Sequence, residues 1–211
     1  MSFTPSDFRT TMARFATGVT VVTTRLDHAC FGLTVNAFCS VSLNPPLILV
    51  SLDLTSQTYA AICRSGVFAV NVLTQEQEQL ALRFARKDLQ SKTFGDIPLH
   101  TGGTTGVPLF AEALARIECR VAHEYPGGDH ALVLGEVVSV DYCDDRLANE
   151  PLLYYRSTFW VNPQERAVSK LPASTRKPAS GRGEERNGAE VSAKLPAIEL
   201  VPLPFVFSFE A

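Results

Sequence analysis

Three short segments place polar groups where chemistry could be done. In Gly32-Leu33-Thr34-Val35-Asn36-Ala37-Phe38, a hydroxyl and an amide interrupt an apolar run, a composition suited to the edge of a planar heteroaromatic ring. An ordinary strand with one polar face would read the same way. In Leu54-Thr55-Ser56-Gln57-Thr58, hydroxyls gather at a helix start, where unpaired backbone N–H groups and the helix dipole favour a phosphate. Simple helix capping is the competing account. In Gly127-Gly128-Asp129-His130, the glycines permit a tight turn and Asp129 can orient the ring of His130, whose nitrogens titrate near neutrality. A bare hairpin turn would also suffice. Arg83, Arg86, Lys87 and Lys92 cluster at the end of a further helix, where they could reach a phosphate or stay solvated.

The elements that must carry these segments are mostly strands. Apolar or alternating runs rich in β-branched residues predict strands at Val19–Thr24, Phe31–Ser42, Leu47–Leu52, Phe68–Leu73, Leu114–Val121 and Ala131–Val140. Six short strands separated by turns suggest a barrel or sandwich rather than alternating β and α units. Helices are announced by their caps. Thr4-Pro5 with Asp7 precedes Phe8, Met12 and Phe15, Ser56 caps a helix ending at Gly66, and Thr74 with Gln77 forms a capping box before Leu80, Ala81 and Phe84.

Composition bounds the possibilities. With 211 residues, 45% of them hydrophobic, the chain can bury one good core, and a net charge of −3 offers no basic field for nucleic acid. No basic head precedes an apolar run at the N-terminus, and no stretch of about 18 apolar residues occurs, so a soluble, cytoplasmic protein without membrane contact is expected. Five cysteines without a C-x-x-C pair read as reduced, mostly buried small hydrophobes, and no metal site is expected. From Pro163 onward, Pro, Ser, Gly and alternating charge predict a disordered C-terminal extension over 163–211, ending in the apolar stretch Ile198 to Phe207; a single domain is expected over 1–162. No G-x-G-x-x-G, P-loop, G-x-S-x-G or H-E-x-x-H motif is present.

Taken in order, several runs resemble the flavin reductase-like, FMN-binding split-barrel family, in particular the small reductase components of two-component flavin monooxygenases. The runs are Phe15-Ala16-Thr17-Gly18-Val19-Thr20-Val21-Val22-Thr23, Gly32 through Leu47, Gly66 through Leu73, Gly127-Gly128-Asp129-His130, Gly135-Glu136-Val137 and Pro151-Leu152-Leu153-Tyr154-Tyr155. The resemblance implies a mainly β, Greek-key split barrel with short flanking helices, acting as a homodimer. It implies a flavin, FMN or FAD, held by Thr34, Val35, Asn36, Ala37 and Ser40, flanked by Ser51, Leu52 and Asp53, with its phosphate on Ser56 and Thr58 and near Arg86 and Lys92. It further implies NADH or NADPH as hydride donor, its nicotinamide beside Gly128, Asp129, His130 and Tyr155, with His130 as the catalytic residue. Where the family has glycine after a Tyr-Arg pair, this chain has Ser157. The implied activity is flavin reduction for a partner monooxygenase; a flavin-binding or redox-sensing barrel without NAD(P)H turnover, or a purely structural barrel, is the alternative.

Overall fold

The computed structural model of the chain describes residues 2–86, 92–143 and 150–160; the extension over 163–211 and Lys87 lie outside the described residues. Helix α1 (Pro5–Met12) begins where the sequence signals it, with Thr4 and Asp7 exchanging both hydrogen bonds of a capping box. Strands β1 (Thr17–Gly18), β2 (Thr20–Leu26), β3 (Ala29–Val35), β4 (Phe38–Leu43) and β5 (Pro46–Asp53) follow. Helix α2 (Gln57–Ser65) runs from the Ser56 cap to Gly66, whose φ of 71° is the left-handed stop that glycine supplies without a Cβ penalty. After β6 (Val67–Val72), a 3-10 turn (Gln75–Gln77) leads into α3 (Glu78–Ala85). The short strands β7 (Leu99–Thr101) and β8 (Pro108–Phe110) precede the long pair β9 (Ala115–Gly127) and β10 (His130–Tyr142), and β11 (Leu153–Tyr155) with β12 (Thr158–Trp160) close the described chain.

The main sheet runs in the order β3-β2-β6-β9-β10-β5-β4. Its edge strands β3 and β4 are consecutive in sequence, joined only by Asn36 and Ala37. Laid flat, six interstrand gaps would separate them by about 29 Å, whereas the three links from Val35 to Phe38 span at most about 11 Å. The sheet must therefore curl until its edges meet, and the Ser51 amide of β5 donates to the Ala37 carbonyl of the link at 3.0 Å, extending the β4–β5 ladder by one residue. This is the split barrel of the sequence reading, with one revision. The run Phe31–Ser42 is two strands, broken at Asn36-Ala37 because the chain there crosses from one sheet edge to the other.

Strand β2 is buried on both faces, which explains its unbroken run of Val and Thr. Val22 faces the barrel interior with Val35, Val50, Leu52, Phe68 and Val133, while Val19 and Val21 face a second core with Phe84, Phe110 and Leu152 beneath α3. Its buried threonines each find an acceptor: Thr20 on Val35 O at 2.6 Å, Thr23 on Pro108 O at 2.6 Å and Thr24 on Val67 O at 2.7 Å. Helix α3 seats closely on β3 at Gly32, where a Cβ would stand 2.6 Å from the Phe84 ring.

Candidate functional site

Strand β5 is the axis of the site. Its C-terminal end gathers all three polar segments. Ser51 is bonded to the 36–37 link, Asp53 pairs with His130 across the sheet, and the Leu54 amide donates to Asp129 O at 3.2 Å. Asp53 then builds the turn into α2: its Oδ1 accepts from the Thr55 amide and hydroxyl, both at 2.7 Å, and its carbonyl accepts from the Ser56 amide at 2.9 Å. Asp53 thus shapes the entry to the helix whose N-terminus opens beside the 127–130 turn.

The expected flavin residues divide by what their side chains already do. Val35, Ala37 and Leu52 are buried in the barrel core, so only their backbone groups can face a ligand. Thr34 donates its hydroxyl to Ala81 O of α3 at 2.7 Å. That proton is spent on the seating of the helix, and Thr34 offers a ligand lone pairs rather than a donor. Asn36 donates to Thr17 Oγ1 at 3.3 Å, which anchors the link to β1. Ser40 is exposed on β4, and Ser51 is buried at the closure. Ser56 caps α2 by accepting from the Tyr59 amide at 3.4 Å. Thr58, one residue inside the helix, is 3% exposed and places a second hydroxyl in the first turn of α2. Two hydroxyls beside the amides of a helix N-terminus are polar groups with capacity for an anion.

The turn carrying the candidate catalytic residue is a two-residue hairpin in which Gly127 pairs with His130 and Gly128 has a φ of 82°. Only a glycine adopts that conformation without strain, and the first central position of a hairpin turn demands it. His130 Nδ1 lies 2.7 Å from Asp129 Oδ1. A carboxylate can only accept, so the ring proton sits on Nδ1 and the imidazole is held in one tautomer. The same hydrogen bond, reinforced by the ring's charge, holds the Asp129 carboxyl below the usual carboxylate range.

Other expected residues attach to different elements. Arg86 is the exposed C-cap of α3, and Lys92 reaches Gly32 O of β3 at 3.5 Å, which places both on the flank where α3 covers β3. Tyr155 belongs to the separate sheet β1-β11-β12, its ring under the Arg156 guanidinium at 5.2 Å. That sheet reaches the site indirectly, since Thr17 of β1 both pairs with Tyr154 and accepts from Asn36. Sequence reasoning missed Thr17 as a partner. It also missed a contact between α2 and β9: Tyr59 donates its phenol to Glu124 Oε1, and Cys63 lies 3.5 Å from Glu124 Oε2. The i, i+4 spacing of Tyr59 and Cys63 puts them on one face of α2, but no local signal identifies a partner more than sixty residues away.

Residues 12–161 match the family model described as "Flavin reductase like domain". The reductase subunit HsaB of a flavin-dependent monooxygenase from Rhodococcus jostii (strain RHA1) is 38% identical over 155 residues, 74% of this chain and 76% of the relative. The NADH-dependent FMN reductase AsuE2 of Streptomyces nodosus subsp. asukaensis is 40% identical over 155 residues, 73% of this chain and 83% of the relative. Among solved structures, the Streptomyces globisporus C-1027 NADH:FAD oxidoreductase SgcE6 in complex with NAD and FAD fragments matches with a TM-score of 0.69 and 32% identity, covering 83% of this chain and 99% of that one.

Proposed function

Because the chain belongs to the flavin reductase-like family, we propose that it is an NADH-dependent flavin reductase that reduces FMN or FAD by hydride transfer and supplies the reduced flavin to a flavin-dependent monooxygenase. The observation that carries this reading is the convergence, at the end of β5, of the 36–37 link, the N-terminus of α2 and the His130 turn. The donor set fits a flavin. An α2 N-terminus with Ser56 and Thr58 suits a phosphate, and backbone groups of Val35 to Ala37 suit the polar edge of a ring system whose body needs apolar neighbours.

Bound flavin supplies the hydride acceptor, so the protein needs little acid and base machinery. The chain's own work is binding and alignment. Ser56, Thr58 and the α2 amides would hold the phosphate, and the 36–37 link between β3 and β4 would fix the ring edge. His130, locked by Asp129, would stand beside the nicotinamide and exclude water from that face. NADH is preferred to NADPH because the matched relatives AsuE2 and SgcE6 are named for NADH. The two also differ in flavin, FMN for one and FAD for the other, and both flavins stay within the proposal.

The protein is further proposed to act as a homodimer in the cytoplasm. Leu43, Val140, Tyr142 and Trp160 are among the large apolar side chains left mostly exposed, which suits contact with a second copy. The five cysteines are all free thiols, in keeping with a reducing compartment, although they are not mostly buried as expected: Cys119 alone is buried, and Cys63 and Cys143 are exposed on α2 and just after β10. Among the described residues no helix is long and apolar enough to cross a membrane. NADH oxidation by the purified protein, measured with FMN and FAD supplied separately, tests the function. Flavin-dependent turnover is expected with at least one of them, and its absence with both would leave only a flavin-binding barrel.

A further inference from the structure

The β9–β10 hairpin that carries His130 is supported unevenly. Strand β10 pairs with β5 from His130 to Glu136, but β9 pairs with β6 only as far as Arg120. Beyond that point the outer edge of β9 has no strand beside it among the described residues, and residues 123–127 are exposed. Helix α2, which packs mainly on β2 and β3, meets this free edge at separate points. Its C-terminal end is fixed there by the Val121 amide, which donates to Gly66 O at 2.9 Å. Its N-terminal end lies by the tip, since the Asp53 turn that launches it pairs with His130, and Leu54 bonds Asp129. Between these two ends, Tyr59 and Cys63 of α2 both converge on Glu124 of β9.

We propose that the Tyr59–Glu124 hydrogen bond, with Cys63 as its lesser leg, is a positioning device that braces the free arm of β9 against α2 and so keeps the His130 turn aligned with the helix N-terminus. An exposed strand edge without packed neighbours opens locally at low cost, and a single tie at mid-arm restricts where its tip can travel. The phenol is held on the carboxylate strongly enough that its own ionisation is pushed well above the usual tyrosine range. Tyr59 and Glu124 are positioning residues here: they act on the nicotinamide side of the site through His130. The inference rests on the reading of this site as a flavin reductase.

The test combines kinetics with amide hydrogen exchange on the full-length protein. Tyr59→Phe and Glu124→Ala should each raise the KM for NADH by roughly threefold to tenfold, the scale of one partly solvated hydrogen bond to a charged acceptor. The kcat and the FMN Kd should change by less than about twofold, because α2 itself keeps its cap and its packing. Glu124→Gln retains an acceptor for the phenol and should restore most of the wild-type KM. The double variant Tyr59→Phe/Glu124→Ala should be no worse than the poorer single one. Exchange over residues 121–130 should quicken in Tyr59→Phe without quickening in the barrel strands. Unchanged exchange there, an unchanged NADH KM, or equal losses in NADH KM and FMN affinity would each overturn the brace. Faster exchange in a protein that oxidises no NADH would uphold the brace and refute the functional reading instead.

Discussion

His130 owes its place to a glycine two residues earlier and its orientation to the aspartate between them. Replacing it by alanine removes the ring but not the turn, which the backbone pairing of Gly127 with His130 forms. His130→Ala should therefore raise the NADH KM and lower kcat/KM by about tenfold, while FMN titrations give an unchanged Kd; an unchanged kcat/KM would remove His130 from the site. Protonation tests the same pair. Asp129 has a lower pKa folded than unfolded, so its contribution to the turn is complete above the ordinary carboxylate range and is lost as pH falls through the lowered value. A second residue-level effect lies at the β11–β12 turn, where Arg156 and Ser157 adopt φ of 52° and 58°. Two successive positive φ values form the hairpin turn that Asn-Gly normally occupies, and Ser157 bears a Cβ penalty of about 1 kcal/mol there. Ser157→Gly should raise the melting temperature by about 2–4 °C, read by calorimetry; a fall would mean the serine makes a compensating contact.

The N-terminus of α2 is the element on which flavin affinity should turn. Ser56 and Thr58 together replaced by alanine would remove two hydroxyls from a phosphate, each bond worth about 1.5–3 kcal/mol to a charged acceptor. FMN binding should weaken strongly and riboflavin binding barely at all. Equal losses for the two would reduce the pair to a helix cap. This element was legible before folding, because Ser56 and Gly66 are local signals at the two ends of one helix; so were α1 and α3. The small sheet β1-β11-β12 was not, since strands of two or three residues are too short to show a period. Of the site, the segments could be read but not their commitments. Thr34 looks like a free donor in sequence, and only the fold brings Ala81 O within 2.7 Å to take its proton. Glu124 looks like any exposed strand carboxylate until α2 is laid beside it. What local patterns cannot reveal is the partner supplied by chain closure.

At the scale of the whole molecule, barrel closure decides what the chain can do without. The barrel's edges are joined through Asn36-Ala37, the buried residues of the described cores lie within residues 19–152, and the last described strand, β12, spans Thr158–Trp160. The hydrogen bonds described above for the 36–37 link, the α2 N-terminus and the His130 turn lie among residues 17–130. From Pro163 to Pro196 the sequence is Pro, Gly, Ser and alternating charge, a composition with too little apolar area to offset about 1–2 kcal/mol of backbone entropy per ordered residue. A chain ending at Asn162 is therefore expected to stay soluble, dimeric and active in flavin-dependent NADH oxidation. The opposing force is the apolar stretch Ile198 to Phe207, whose loss would expose whatever hydrophobic surface it covers. Light scattering and NADH oxidation on the shortened chain separate the two. A soluble dimer with full-length kcat/KM means that the fold and its chemistry end at the barrel; aggregation means that the apolar terminus is part of the folded protein, and a soluble but inactive dimer means that it serves the site.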